Sequence, residues 1–392
     1  MTNRFNEERE KYVRRVLVVY KHYAPDTGGI ESSLVQQVKW YQEAGYEVSV
    51  LCCRKRGIRT LRETRGGASI LRCGSLGVFK SMPLSPSFFW HFWRMVVNSE
   101  IVHVHLQFPF ASFAYCLFGD KLKKRWLVTY HMDVYRQKWL KKLTYPFDRF
   151  LLKNAESVMT SSPPLRKNSE ILSTMQRDVE IVPFAINDFH KECGAVEEAL
   201  CKKNPLGFDI KPGYFLFFGR LVEYKGTRPL YSVIRRCAVE RPDIRFFIFG
   251  DGPDRKLFDT LASDHPQQVT FLGEFVDESW KREFISNSLA VIFPSIYSSE
   301  AFGIAQLEAM AYGKPLINCW LSTGVNWVAP EGECAVTVKP NDEQALLKAI
   351  VKLNDDAGLR ARLGRLAFSR FNDNFTEDTV SAHFKRIVAT PC

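Results

Sequence analysis

Two glutamates stand eight positions apart in SEAFGIAQLEAMAYGKPLI, residues 299–317: Glu300 and Glu308. Phe302 and Gly303 lie between them, and small apolar residues surround the second glutamate. On one continuous helix, residues eight apart point about 80° from each other, so the pair would not share a face. The pattern therefore reads as a loop carboxylate, Glu300, following the apolar run AVIFPS, and a helix that begins near Gly303 and carries Glu308 inside it. The first turn of such a helix presents unpaired backbone N–H groups, a seat for phosphate. Gly303 lets that backbone approach a ligand. A carboxylate accepts two hydroxyl hydrogen bonds at once, which suits a vicinal diol. Two carboxylates flanking a phosphate seat fit a sugar nucleotide, with hexose hydroxyls at one end and ribose hydroxyls at the other. The spacing by itself fits a capped surface helix with two solvated acids somewhat better.

Other segments add charge of the right sign. FFGRLVEYKG sets Arg220 and Lys225 just beyond a predicted strand, where they could bracket a diphosphate and stabilise it as it departs. Two loop cations are also ordinary solvated charges. IFGDGPDRKLF, with Gly250 and Gly252, reads as a tight strand-to-helix turn. HYAPDTGGIE puts Gly28 and Gly29 at a helix start after the first strand, a second place for a phosphate. His131 ends a predicted strand in VTYHMD; His103 and His105 read as structural, and Asp133 as a helix cap. There is no D-x-D pair, and Asp355-Asp356 lies far from these motifs. The ten cysteines form no C-x-x-C pair and read as reduced thiols. No metal and no cofactor is expected.

The elements that must hold these residues follow from rhythm. At 392 residues two domains are the default. Short apolar runs (16–20, 48–52, 101–105, 127–131, 157–160, 179–182) alternate with helical patterns, as in a parallel sheet covered by helices on both faces. The rhythm lapses from Pro183 to Gly213 and restarts with strands at 214–218, 245–249, 269–272, 290–293 and 315–318. The reading is an α/β chain of two doubly wound, Rossmann-like domains facing a cleft. Residues 1–205 form the first domain and 206–373 the second, which carries the glutamate pair. A last helix within 374–392 would pack back on the first domain. In such sheets ligands bind beyond the carboxyl ends of the strands.

Residues 1–205 hold 32 Lys and Arg against 20 Asp and Glu, a surplus of 12; the remainder holds 22 against 23. The first domain should therefore meet something anionic. KWLKKL, with Lys138, Trp139, Lys141 and Lys142, interleaves cations with apolar residues as a headgroup interface does. In SFFWHFWRMVV, Phe89, Trp93, Val96 and Val97 recur at helical spacing and read as core. Nothing in the sequence has the length and apolarity of a membrane-spanning helix, and the charged N-terminus is no secretory signal. A cytoplasmic protein, peripheral on the inner face of the membrane, is expected. A nucleic-acid or polyanion binder would have no need of Glu300 and Glu308, and the neutral second half counts against it.

Taken together, GGIE at 28–31, VTYHMDVYRQKWLKKL, FFGRLVEYKG, SEAFGIAQLEAMAYGKPLI, STGVNWV and PNDEQAL resemble the retaining glycosyltransferases of family 4, which have the GT-B fold. Their details look most like bacterial mannosyl- and deoxyhexosyltransferases of O-antigen and capsule assembly. The resemblance covers nearly the whole chain. It implies that Glu308 binds the ribose, and that Glu300 binds the donor hexose. Phe302, Gly303 and Ile304 would complete the donor site, the first two through their backbone. Arg220 and Lys225 would hold the diphosphate, with Gly29 facing it, and His131 would lie near the anomeric centre. It also implies a metal-independent transfer with retention, from a nucleotide sugar, GDP-mannose, to a polyprenyl-diphosphate-linked saccharide. Front-face attack, with the diphosphate oxygen taking the acceptor's proton, is the favoured mechanism. A UDP-sugar donor and a sugar-nucleotide epimerase of the same fold remain alternatives.

Overall fold

The computed structural model describes residues 14–26, 28–80, 82–119, 121–133, 138–186, 211–274, 276 and 278–390, with backbone alone for 138–141. Contacts divide the chain into two units: Met1–Ser161, Ser169–Val182 and Ser381–Cys392 form one, Ser162–Asn168 and Pro183–Val380 the other. The sequence reading set the division at 205/206. Residues 183–186 go with the second unit because the Phe184 ring packs 5.1 Å from Phe302 and the Ile186 N–H donates to Phe375 O at 3.3 Å. The short helix Pro163–Asn168 joins it through Asn168, whose amide donates to Ser322 O at 2.9 Å.

The first unit is built on strands β1 (Arg15–Val19), β2 (Glu47–Cys53), β3 (Leu61–Arg65), β4 (Ala68–Cys73), β7 (Ile101–Leu106), β8 (Arg125–Tyr130), β9 (Ser157–Thr160) and β10 (Glu180–Ile181). A separate small hairpin pairs β5 (Val78–Phe79) with β6 (Met82–Pro83). The sheet order is β10-β9-β8-β7-β1-β2-β4-β3. All pairings are parallel except the edge pair β3–β4. β7, IVHVHL, is buried at every position, as expected for a parallel strand covered on both faces. β3, LRETR, is exposed at every position; it has no apolar pattern to announce it and is absent from the sequence reading. Residues 381–389 of the last helix, Glu377–Ala389, count with this unit. There Phe384 meets Trp40 and Tyr41, and Lys385 pairs with Glu43 at 2.7 Å.

Helix Ser87–Val97 corrects one expectation. Its buried face is Phe88, Phe92 and Val96, one helical turn apart. Trp93 and Val97 are exposed, Phe89 is only half-buried, and Trp90 is 60% exposed. Of the four residues read as core, Val96 is buried as expected, whereas Phe89, Trp93 and Val97 lie on the flank and outer side because 88, 92 and 96 meet the sheet.

The second unit has six strands in the order β13-β12-β11-β14-β15-β16, every pair parallel. They are β11 (Tyr214–Phe218), β12 (Phe246–Phe249), β13 (Val269–Leu272), β14 (Ser288–Phe293), β15 (Leu316–Cys319) and β16 (Ala335–Val338). β16 and the long helix Ala357–Asn374 go beyond the expected elements. β11 has β12 on one side and β14 on the other, so the winding reverses between β11 and β14. A crevice opens at such a reversal, outside the carboxyl ends of the two strands.

Candidate active site

The chain leaves β11 through Gly219 and Arg220, and leaves β14 through Pro294 and Ser295. A glycine allows the loops beyond to close on each other. Gly226 ends the turn Glu223–Lys225 with φ 72°, and a Cβ there would lie 2.0 Å from Pro294 O. No other residue fits that approach. The Ile296 N–H then donates to Tyr224 O at 2.9 Å, tying the two loops.

The tie brings Lys225 onto Glu300. Lys225 Nζ lies 2.5 Å from Glu300 Oε2, with the side chains 17% and 12% exposed. Ser295 Oγ donates to the same oxygen at 3.2 Å, and the ammonium lies 4.9 Å over the Phe293 ring. Arg220 is exposed and donates from Nη2 to the Tyr224 hydroxyl at 2.7 Å. Arg220, Lys225 and Glu300 thus gather around the exits of β11 and β14. Two cations beside one carboxylate can hold a diphosphate and a hydroxylated ring together.

Helix Ile304–Ala311 starts behind Gly303, whose φ of 84° is a left-handed conformation that glycine favours. A Cβ there would lie 2.7 Å from the Phe293 ring. Ile304 is half-buried, and the Phe302 side chain is buried against Phe184, Trp327 and Phe375. Only the Phe302 backbone is left to meet a ligand. Glu308 sits in the second turn, half-buried, and pairs with Lys281 at 2.6 Å. Burial raises its carboxyl above the ordinary value, against the pull of Lys281 and Lys225. Lys281 was missed in the sequence because ESWKREF looks like a solvated helix face, with Glu278 and Lys281 an everyday intrahelical pair.

In the first unit His131 follows β8 and is 3% exposed. Its Nε2 lies 3.0 Å from His105 Nδ1, with the rings nearly parallel. Burial, then the Lys21 charge, lowers the His131 pKa to about 3, so the imidazole is neutral at ordinary pH. His103 is held between the Tyr41 hydroxyl at 3.0 Å and Thr129 Oγ1 at 2.8 Å. His105 touches His131 because the β7–β8 register sets Leu106 beside Tyr130, a contact between distant sequence positions. Asp133 accepts from Tyr130 at 2.7 Å and Ser169 at 3.0 Å. Gly29 opens helix Gly29–Glu43 and is exposed. Close by, the Glu31 charge acts on Tyr20 and Lys21 at the end of β1. Lys142 is exposed, and the side chains of Lys138, Trp139 and Lys141 lie outside the described residues. Among the described residues no three His, Cys, Asp or Glu side chains converge as a metal site.

Two family models match the chain: "Glycosyl transferase 4-like domain" over residues 28–185 and "Glycosyl transferases group 1" over 201–370. The chain belongs to this glycosyltransferase family, and its fold is GT-B. It is 28% identical to O-antigen chain mannosyltransferase C of Escherichia coli, over 93% of this chain and 95% of that one. It is 29% identical to D-rhamnosyltransferase WbpZ of Pseudomonas aeruginosa, over 92% of each. Among solved structures, sucrose-phosphate synthase from Thermosynechococcus elongatus superposes with a TM-score of 0.72 at 17% identity, covering 96% of this chain and 98% of that one. HepE of Anabaena, solved in complex with UDP, does so with a TM-score of 0.69 at 14% identity, over 96% of this chain and 100% of that one.

Proposed function

We propose that this glycosyltransferase moves a hexose, mannose from GDP-mannose, onto a polyprenyl-diphosphate-linked saccharide, with retention and without a metal. The observation that carries the reading is the Lys225–Glu300 pair with Arg220 at the β11/β14 reversal. In the proposed reaction Arg220 and Lys225 neutralise the charge that grows on the leaving diphosphate. Glu300 accepts from the donor hexose hydroxyls, Glu308 from the ribose, and the Gly303–Ile304 backbone meets the phosphate. Gly29 and His131, both in the first unit, are given roles in the reaction by the family resemblance alone. Burial makes the His131 imidazole a weak base, so it would orient a hydroxyl rather than hold the proton, which the departing diphosphate oxygen would take. The similarity to O-antigen chain mannosyltransferase C of E. coli supports mannose and O-antigen assembly.

The first unit would rest on the anionic inner leaflet of the cell membrane. Supporting this, it carries the charge surplus and exposes Trp90, Trp93, Phe79 and Ile58, at 60%, 41%, 50% and 79%. On helix Lys138–Asn154, Leu143 is 62% exposed beside exposed Lys142. Among the described residues no helix is long and apolar enough to cross a membrane.

The test incubates the protein with GDP-mannose or UDP-glucose, with and without a polyprenyl-diphosphate-linked saccharide and with and without EDTA. The expected result is acceptor-dependent release of GDP that resists EDTA, and a product with the donor's anomeric configuration by NMR. Transfer from UDP-glucose alone overturns the donor assignment. Loss of turnover in EDTA overturns the metal-free one. Epimerised donor without transfer overturns the reaction.

A further inference from the structure

Among the described residues of the second unit, Lys281 is a shielded charge that the donor reading leaves without a task. Lys281, on helix Glu278–Ser286, places its ammonium 2.6 Å from Glu308 Oε1 and 2.8 Å from Glu278 Oε1. The Lys281 and Glu308 side chains are 15% and 14% exposed, whereas Glu278 is 65% exposed. The pair joins two helices across 27 sequence positions.

A carboxylate offers acceptor sites on both oxygens, while a carboxylic acid turns one oxygen into a donor. A glutamate that accepts from the hydroxyls of a vicinal diol therefore binds them best when ionised, since hydrogen bonds to a charged acceptor are the stronger ones. Burial opposes that ionisation at Glu308. Lys281 is the main charge working the other way, assisted by Lys225, while Glu278 adds repulsion. The Lys281 ammonium itself stays charged, since Glu308 and Glu278 outweigh the burial that disfavours it. Its contact is to Oε1, and among the described residues no hydrogen bond reaches Oε2. The carboxylate is thus held on one oxygen, while the other keeps its acceptor sites.

We infer that Lys281 is a positioning residue for ribose recognition: it holds Glu308 as an oriented carboxylate whose Oε2 accepts from a 2′,3′-diol. The inference rests on the assignment of Glu308 to the ribose.

The test measures binding of GDP, UDP and their 2′-deoxy forms to the full chain by calorimetry from pH 6 to pH 9. The parent should prefer the ribonucleotide about 10-fold or more, as expected for a hydrogen bond to a charged group, with a ratio steady across that range. Lys281→Met and Lys281→Gln should bring the ratio towards one at pH 6–7. The ratio should recover as pH rises and the unpaired Glu308 loses its proton. Lys281→Arg should keep the parent ratio. A lysine with a merely structural role would lower melting temperature or overall affinity, with no pH dependence in the ribo-to-deoxy ratio. If Lys281→Met and Lys281→Gln keep the parent ratio at every pH while Glu308→Gln collapses it, the inference is overturned and the ribose assignment stands. If Glu308→Gln also keeps the ratio, the ribose assignment falls and the inference with it.

Discussion

Replacing Lys225 by methionine removes one charge and keeps most of the stem. In the parent the ammonium sits 2.5 Å from Glu300 Oε2, with both side chains largely shielded. At an effective dielectric constant of about 20, that separation gives a Coulomb attraction of roughly 6–7 kcal/mol. Desolvation of the two ions offsets several kcal/mol of it, so the net loss of stability should be about 1–3 kcal/mol. Turnover should suffer more than stability. Loss of one preorganised donor at a developing negative charge costs about 10²–10³ in kcat, or about 2.7–4 kcal/mol. The assay is steady-state release of nucleoside diphosphate from the best donor, with melting temperature measured in parallel. Glu300→Gln and the double variant complete a cycle. Because the groups touch, the double variant should depart from additivity by about 1–3 kcal/mol in activation free energy. A kcat within about threefold of the parent refutes the leaving-group role, being far short of the loss of one such donor. Additivity within about 0.5 kcal/mol refutes the pair as a unit.

His131→Ala should lose transfer while GDP binding is retained, and loss of both would return His131 to a structural role. The parent's pH–rate profile should lack an imidazole inflection between pH 5 and 8, because the His131 pKa is near 3; an inflection there that vanishes in His131→Ala contradicts this. His103 is also lowered by burial to about 3. Both groups bind protons less readily in the folded state, so their contribution is complete above pH 6.5 and lost as pH falls. Each should cost about 1 kcal/mol of stability between pH 6.5 and 5.5, and an urea midpoint unchanged over that interval would contradict it. Gly303→Ala combines a left-handed φ with a Cβ 2.7 Å from the Phe293 ring, so at least 1–2 kcal/mol of stability should go from the backbone strain alone, read as a fall in melting temperature together with weaker nucleotide binding. Changing Lys138, Lys141 and Lys142 to Glu should abolish cosedimentation with anionic liposomes at low salt, at about 1 kcal/mol per lysine. Undiminished binding would move the membrane contact elsewhere, with Trp90 and Trp93 the next surface to change.

Much of this protein is written locally. Alternating short apolar runs and helical patterns announce parallel sheets, since a strand covered on both faces must be apolar throughout. The strand-end motifs were legible because glycines and charged residues interrupt apolar runs in a way that only turns require. Arg220, Lys225, Glu300 and Gly303 stand out for that reason. Tertiary structure decided what no local pattern carries. Phe88, Phe92 and Val96 rather than Phe89, Trp93 and Val97 meet the sheet, because both stripes are apolar and only the docking of the helix selects one. β3 is held to β4 by the backbone ladder and the Glu63–Arg72 ion pair, with no apolar rhythm to reveal it. His105 meets His131, and Lys281 meets Glu308, across 26 and 27 positions. Strand register makes the first contact and helix packing the second, and a sequence of residue types specifies neither until the chain has folded.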